Sequence, residues 1–191
     1  MHMDTKTRPW TRADLARLSD DGNRYEVLDG ELLVTPQALP PHQWIASRLA
    51  SILTPYVERH RLGWVAAPGG VVFGGNELQP DVEVVPMPLG AIPAKWDEAP
   101  TPVLVAEILS SGSRHNDLRV KPPAYMALAI PDYWVIDRFA RHALVWRRGA
   151  SEPAVATALA WQPRADLPEL VIPLADILPP ADAAHPADDE D

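Results

Sequence analysis

Residues Val103–Leu109 read VLVAEIL. A run this short and this rich in Val, Leu and Ile reads as a buried strand. It carries one carboxylate, Glu107. An acid inside such a strand costs on the order of several kcal/mol unless it is paired, protonated or metal-bound. The fold must therefore bring Glu107 a partner. After a polar turn, Ser110–Ser113, the residues Asp117, Lys121 and Tyr125 recur at intervals of four and share one face of a helix over 114–128. Pro131-Asp132 ends that helix, and Tyr133–Ile136 reads as a second buried strand finishing at Asp137. The unit is strand, helix, strand, with its polar groups aimed at one place.

The rest of the chain supplies elements to cover this unit. Thr11 with Asp14 is a capping pair and opens a short helix over 11–19. Arg24–Leu28 and Glu31–Thr35 are strands joined at Asp29-Gly30, a strong hairpin signal. Ile45, Leu49, Ile52, Leu53, Tyr56 and Val57 are spaced as the buried face of a helix over His42–His60, which Pro55 should kink or break. Trp64–Ala67, Val71–Phe73 and Asp81–Val85 read as strands, and Pro86–Pro102 as a surface loop. Ala143–Arg147, Ala154–Trp161 and Leu170–Ile172 read as later strands, and Leu174–Leu178 as a last helical turn. The pattern is an α/β domain over 1–178, a central mixed sheet flanked by helices, followed by a disordered acidic tail over 179–191.

Composition narrows the chemistry. There is no cysteine, which removes disulfides, thiolate nucleophiles and cysteine zinc sites together. No stretch is long and apolar enough to span a membrane and no signal peptide is visible, so a cytoplasmic location is the expectation. The net charge is −9, a poor starting point for binding that depends on Lys and Arg neutralising phosphates. Asp182, Asp188, Asp189, Glu190 and Asp191 hold much of that excess in the tail.

Three residues carry the chemistry. Asp81 follows Pro80 at the start of a strand, Glu107 lies on another, and Lys121 follows on the helix. Two acids on neighbouring strands make a hard-oxygen site suited to Mg²⁺ or Mn²⁺, and Mg²⁺ needs few protein ligands. Such a metal polarises a phosphoryl oxygen, and a nearby ammonium stabilises the extra negative charge of the transition state. Carboxylate, carboxylate and lysine suit metal-dependent phosphodiester hydrolysis.

The order of these pieces resembles the PD-(D/E)XK nuclease superfamily, and more closely its Uma-type family of restriction-endonuclease-like proteins. The resemblance runs from Tyr25 to Asp137. It rests on Tyr25-Glu26-Val27-Leu28-Asp29-Gly30-Glu31, His42 opening the long helix, Pro80-Asp81, Glu107-Ile108-Leu109-Ser110, Asp117 with Lys121 and Tyr125, and Tyr133-Trp134-Val135-Ile136-Asp137. It implies an αβββαβ core and Mg²⁺-dependent endonuclease activity on DNA. It also implies that Asp81, Glu107 and the Ile108 carbonyl bind metal, that Lys121 positions or activates water, and that Glu26 and His42 complete the cleft. A homodimer is expected by analogy with nucleases that cut both strands. One departure stands out: the superfamily pattern places lysine two residues after the second acid, and here that residue is Leu109. Similar families relocate the lysine to the following helix, where Lys121 stands. Pro122 and Pro123 follow it directly, so the helix should start or kink there.

Each of these residues has a plainer reading. Glu107 could be a buried acid paired with Lys121 or an arginine, Asp81 a turn residue after Pro80, and Lys121 the i, i+4 partner of Asp117. His42 falls on the apolar stripe of its helix and could be a satisfied core histidine, and Glu26 could be a solvated strand residue. The seven Trp read as core and loop packing, with Trp64 and Trp96 as candidates to stack a base. Two rivals to a nuclease follow. One is a non-catalytic descendant kept as a binding or scaffold protein, which Leu109 favours. The other is a metal-independent hydrolase with paired acids, such as a glycosidase.

Overall fold

The computed structural model describes residues 8–88 and 90–180. The acidic tail expected from the sequence therefore lies, from Ala181 on, outside the described residues. The elements are α1 (Arg12–Leu15), β1 (Arg24–Leu28), β2 (Glu31–Thr35), α2 (Pro40–Arg59), β3 (Trp64–Ala66), β4 (Val71–Phe73), β5 (Asn76–Leu78) and β6 (Val82–Val85). They continue with β7 (Leu104–Ile108), α3 (Lys121–Ala127), β8 (Asp132–Asp137), β9 (His142–Arg147), β10 (Ala154–Ala156), β11 (Ala158–Trp161) and β12 (Leu170–Pro173).

The central sheet has six strands in the order β10-β9-β8-β7-β6-β3. The pair β7–β8 is parallel and its neighbours are antiparallel, so the sheet is mixed. The parallel pair is bridged by α3, as a parallel connection requires a crossover. Removing the β4–β5 excursion leaves α2-β3-β6-β7-α3-β8, the αβββαβ order read from the sequence. A second sheet, β2-β1-β5-β4, packs beside it. Its strand β5 was not anticipated, because Asn-Glu-Leu is too short and too polar to read as a strand.

Strand alternation decides which side chains meet. Leu104, Ala106 and Ile108 of β7 face α2, where they join Ile45, Leu49, Leu53 and Val57 in one apolar cluster. Val105 and Leu109 face the other way, into a cluster with Leu28, Leu33, Leu78, Tyr125 and Tyr133. Glu107 shares that second face. It must emerge between β7, α3 and the hairpin strand β1, and the polar groups of those elements are the ones it can reach.

Two helices depart from the simple reading. α2 runs through Pro55 without a break. Pro55 is exposed, so the carbonyl left without a donor lies on the solvent side, where water can serve it. The first helix is shorter than expected. Its capping pair is present, with the Thr11 N–H and Oγ1 donating to Asp14 Oδ2 at 2.9 and 2.8 Å, but only Arg12–Leu15 are helical.

The segment before α3 is not an ordinary α-helix. Asn116–Val120 form a π-helical turn, and the Lys121 N–H reaches back five residues to the Asn116 carbonyl. Pro122 and Pro123 supply no N–H, so two successive α-type bonds cannot form, and both prolines sit at the start of the new helix where that loss is tolerated. The helix does start at Lys121, with a wide turn ahead of it. Such turns recur at functional sites.

Candidate active site

Lys121 is the centre of the site. Its side chain is fully buried, and Nζ lies 2.9 Å from Glu107 Oε1, 3.0 Å from Glu26 Oε1 and 3.1 Å from Asp117 Oδ1. The pairing with Asp117 is therefore real but only one of three. Glu107 Oε1 also accepts the Tyr125 hydroxyl at 3.2 Å, and its Oε2 accepts the Asp81 N–H at 3.3 Å. Glu26 Oε1 accepts the Gln79 N–H at 2.7 Å.

Asp81 forms the outer half. Its Oδ1 accepts Arg24 Nη1 at 2.7 Å. Its Oδ2 accepts the Ile108 N–H at 2.8 Å and lies 2.9 Å from His42 Nε2. The Ile108 bond ties β6 to β7 at the point where their ladder ends. His42 comes from the first turn of α2 and points across the sheet end, which answers the sequence question of where that histidine faces. Glu26, His42, Asp81, Glu107 and Lys121, five residues spread over 96 positions of sequence, thus meet in one cluster, and the backbone N–H of Ile108 joins them.

Arg24 belongs to the cluster and was missed from sequence. In the sequence it reads only as the first residue of a hairpin strand. It is mostly buried, with Nη1 on Asp81 and Nε 3.9 Å from Glu26 Oε2. The available signal was its place two residues before Glu26, on the same face of the strand.

The electrostatics follow from burial. Among the described residues, Glu26, Asp81, Glu107 and Asp117 pair with Arg24 and Lys121, and Asp81 also with His42. Burial pushes the Glu107 carboxyl well above the usual carboxylate range; Asp117 and Asp81 add to that effect, and Lys121 and Arg24 only partly oppose it. Burial likewise raises Asp117 against the pull of Lys121 and Ser113. For Asp81 burial works upward, but His42, Arg24 and the Ile108 N–H outweigh it and hold the group down at about 2. Burial opposes the Lys121 charge too, and Glu107, Asp117 and Glu26 reverse it, so the ammonium is held more strongly than usual.

A divalent cation fits this chemistry. The donors are hard carboxylate oxygens, the kind that Mg²⁺ and Mn²⁺ take. Among the described residues, no three His, Cys, Asp or Glu side chains are arranged to hold a metal ion. Mg²⁺ and Mn²⁺ keep several waters and need few protein ligands.

A cleft of about 790 Å³ opens onto the outer half. Arg24, His42 and Asp81 line it, together with Leu39, Gln43 and Ser47 of the α2 region, Ala67 and Pro68, the Ser110–Gly112 turn, and Arg138. Glu107 and Lys121 lie behind Asp81. Leu109, which takes the usual lysine position, is 1% exposed and packs in the core. Trp64 and Trp96, the sequence candidates for base stacking, stack on each other at 5.8 Å.

Comparison with known proteins bears on the fold and the family. The chain is similar to a crystal structure titled a putative nuclease belonging to DUF820, from Anabaena variabilis, with a TM-score of 0.70 and 18% identity over 88% of this chain and 97% of that one. At that identity the likeness speaks for the fold. No curated protein matches the chain. The family model Uma2, described as "Putative restriction endonuclease", matches residues 12–175. The chain therefore belongs to the Uma2 family of restriction-endonuclease-like proteins.

Proposed function

We propose that this protein is a metal-dependent endonuclease that hydrolyses phosphodiester bonds of DNA, with Mg²⁺ or Mn²⁺ as its cation. The observation that carries this reading is the meeting of Asp81, Glu107 and Lys121 behind one cleft. Asp81, Glu107 and the Ile108 carbonyl would hold the ion. When bound, it would polarise a phosphoryl oxygen and lower the pKa of a coordinated water.

The chain's own residues do the rest. Arg24 and His42 grip the two oxygens of Asp81 and fix its orientation. Glu26, Asp117 and Tyr125 fix the Lys121–Glu107 pair from the other side. Lys121 has donors only and cannot be a ligand. It orients water or supplies positive charge beside the reacting phosphate, the role of a preorganised transition-state donor. Neighbouring hydrogen bonds keep these groups in place before substrate arrives.

A second reading has one observation in its favour. Both oxygens of Asp81 and both of Glu107 already accept from protein groups, so the cluster is also self-consistent as an ion-paired core in a scaffold protein. Cleavage of DNA with Mg²⁺, Mn²⁺ and excess chelator separates the two. A nuclease is active with metal, silent with chelator, and silent in Asp81→Asn and Glu107→Gln. Wild-type protein that binds DNA but never cuts it, whatever the metal, would support the scaffold.

A further inference from the structure

We infer that Arg24 exchanges partners: it leaves Asp81 when a divalent cation binds there, and takes a phosphate oxygen of the nucleic-acid substrate. This rests on the nuclease reading above and adds a substrate-binding residue to it.

The two oxygens of Asp81 are held differently. Oδ2 accepts from the Ile108 N–H at 2.8 Å and lies 2.9 Å from His42 Nε2. The first of these donors is backbone fixed in β7, and the second comes from the first turn of α2. Oδ1 accepts from Arg24 Nη1 at 2.7 Å, a donor at the end of a long side chain with many rotamers. Like charges at contact distance repel strongly where water is scarce. An ion on Asp81 therefore displaces the cationic donor that can move, and that donor is Arg24.

Arg24 is also loosely seated. Arginine–carboxylate bridges are frequently bidentate, with two parallel N–H bonds. Here Nη1 is matched to Asp81, while Nε is buried without an acceptor. Glu26 Oε2 is buried without a donor and lies 3.9 Å from that Nε, too far for a hydrogen bond. Burial opposes the Arg24 charge, and Glu107, Asp81 and Glu26 outweigh it, Glu107 most. The guanidinium is thus kept in place largely by the field of Glu107 and Asp81. A cation held by those same two acids cancels much of that field.

The way out is open. Arg24 lines the cleft and its side chain is 19% exposed. Lys121 is fully buried, is held by three acids and does not line the cleft. Of these two cations, Arg24 is the one that can turn to a substrate in the cleft. Its planar fork suits the oxygens of a phosphate.

The test is Mn²⁺ titration calorimetry of the full chain, followed by binding of a fluorescently labelled phosphorothioate DNA duplex in saturating Mn²⁺. Arg24→Gln should bind Mn²⁺ more tightly than wild type, by roughly ten-fold, because no charge-assisted hydrogen bond has to be broken first. The same variant should bind the duplex more weakly by roughly ten-fold, and its slope of log affinity against log salt should be smaller by about one. Arg24→Lys should keep the salt slope and lose part of the affinity, since a point charge replaces a fork. In wild type without DNA, modification of Arg24 by phenylglyoxal, read by mass spectrometry, should be several-fold faster with Mn²⁺ than without it. Added DNA should suppress it again.

If Arg24 served only to position Asp81, Arg24→Gln would bind Mn²⁺ more weakly or equally well. That result would overturn this inference, as would duplex binding equal to wild type, and a wild type that still cuts DNA with metal would leave the nuclease reading standing. Where Arg24→Gln does not fold, the wild-type modification rates decide, and equal rates with and without Mn²⁺ overturn the exchange. A wild type that takes up no Mn²⁺ would overturn both. Exchange behaviour in a protein that never cuts would support the inference while the nuclease reading fails.

Discussion

Lys121 and Glu107 form an ion pair of 2.9 Å in which both side chains are fully buried. Such a pair adds little net stability over an apolar pair of the same size, but removing one member leaves an uncompensated charge in the core.

Lys121→Met should therefore destabilise the protein strongly, by about 3–5 kcal/mol, because three buried acids lose their cation together. Glu107→Gln should cost less, since Lys121 keeps Glu26 and Asp117. The double variant Lys121→Met/Glu107→Gln should cost less than the sum of the two. Urea denaturation of the four proteins gives these values. Additive costs would show that the pair is not coupled. Activity assays of Lys121 variants must accordingly be run where the variant is folded.

Much of this cluster was legible in the sequence, for a physical reason. An acid in an apolar strand has to be answered, so Glu107 called for a partner, with Lys121 or an arginine as the candidates, and the resemblance to nuclease families that carry the lysine on the following helix singled out Lys121. Asp81 after Pro80 was readable in the same way. Arg24 was not, because nothing local distinguishes a buried arginine at a strand end from a solvated one; its burial is decided by Asp81, 57 residues away. The π-helical turn before Lys121 was half readable. Two prolines announced a break, but whether the chain kinks or widens depends on what Asp117 and Lys121 must reach. The second sheet escaped because β5 is stabilised by pairing with β1 and β4 and not by its own pattern.

The loop before β4 has almost no spare room. A Cβ on Gly69 would lie 2.5 Å from Glu83 Cδ, and one on Gly70 would lie 2.5 Å from the Trp96 ring. Overpacking of this kind costs about 1–3 kcal/mol. Gly70→Ala should reach the upper end, because the Trp96 ring is stacked on Trp64 and cannot swing as a flexible chain end can. Gly69→Ala should be partly rescued by Glu83→Ala in denaturation experiments. No rescue would mean that the backbone, and not the Glu83 side chain, resists the methyl group.

Glu83 should give stability a distinct pH dependence. Its Oε1 accepts the Gly70 N–H at 3.0 Å, and its Oε2 is buried without a hydrogen-bond partner. Burial is the main cause that pushes the carboxyl up to about 7 from 4.5, against the Gly70 bond. The folded form then holds the proton more tightly than the unfolded chain. The stabilisation is complete below about pH 4.5 and is lost as pH rises to about 7. Glu83→Gln should flatten the slope of stability against pH across that window. An unchanged slope would show that Glu83 is ionised in the fold throughout.

The proposed metal site is tested most directly by calorimetric titration of the full chain with Mn²⁺. Wild type should bind one ion, its melting temperature should rise with ion concentration by mass action, and Asp81→Asn and Glu107→Gln should each abolish both effects. Ion binding that survives both substitutions, or a wild type that takes up no Mn²⁺ at all, would contradict a catalytic cation held by Asp81 and Glu107.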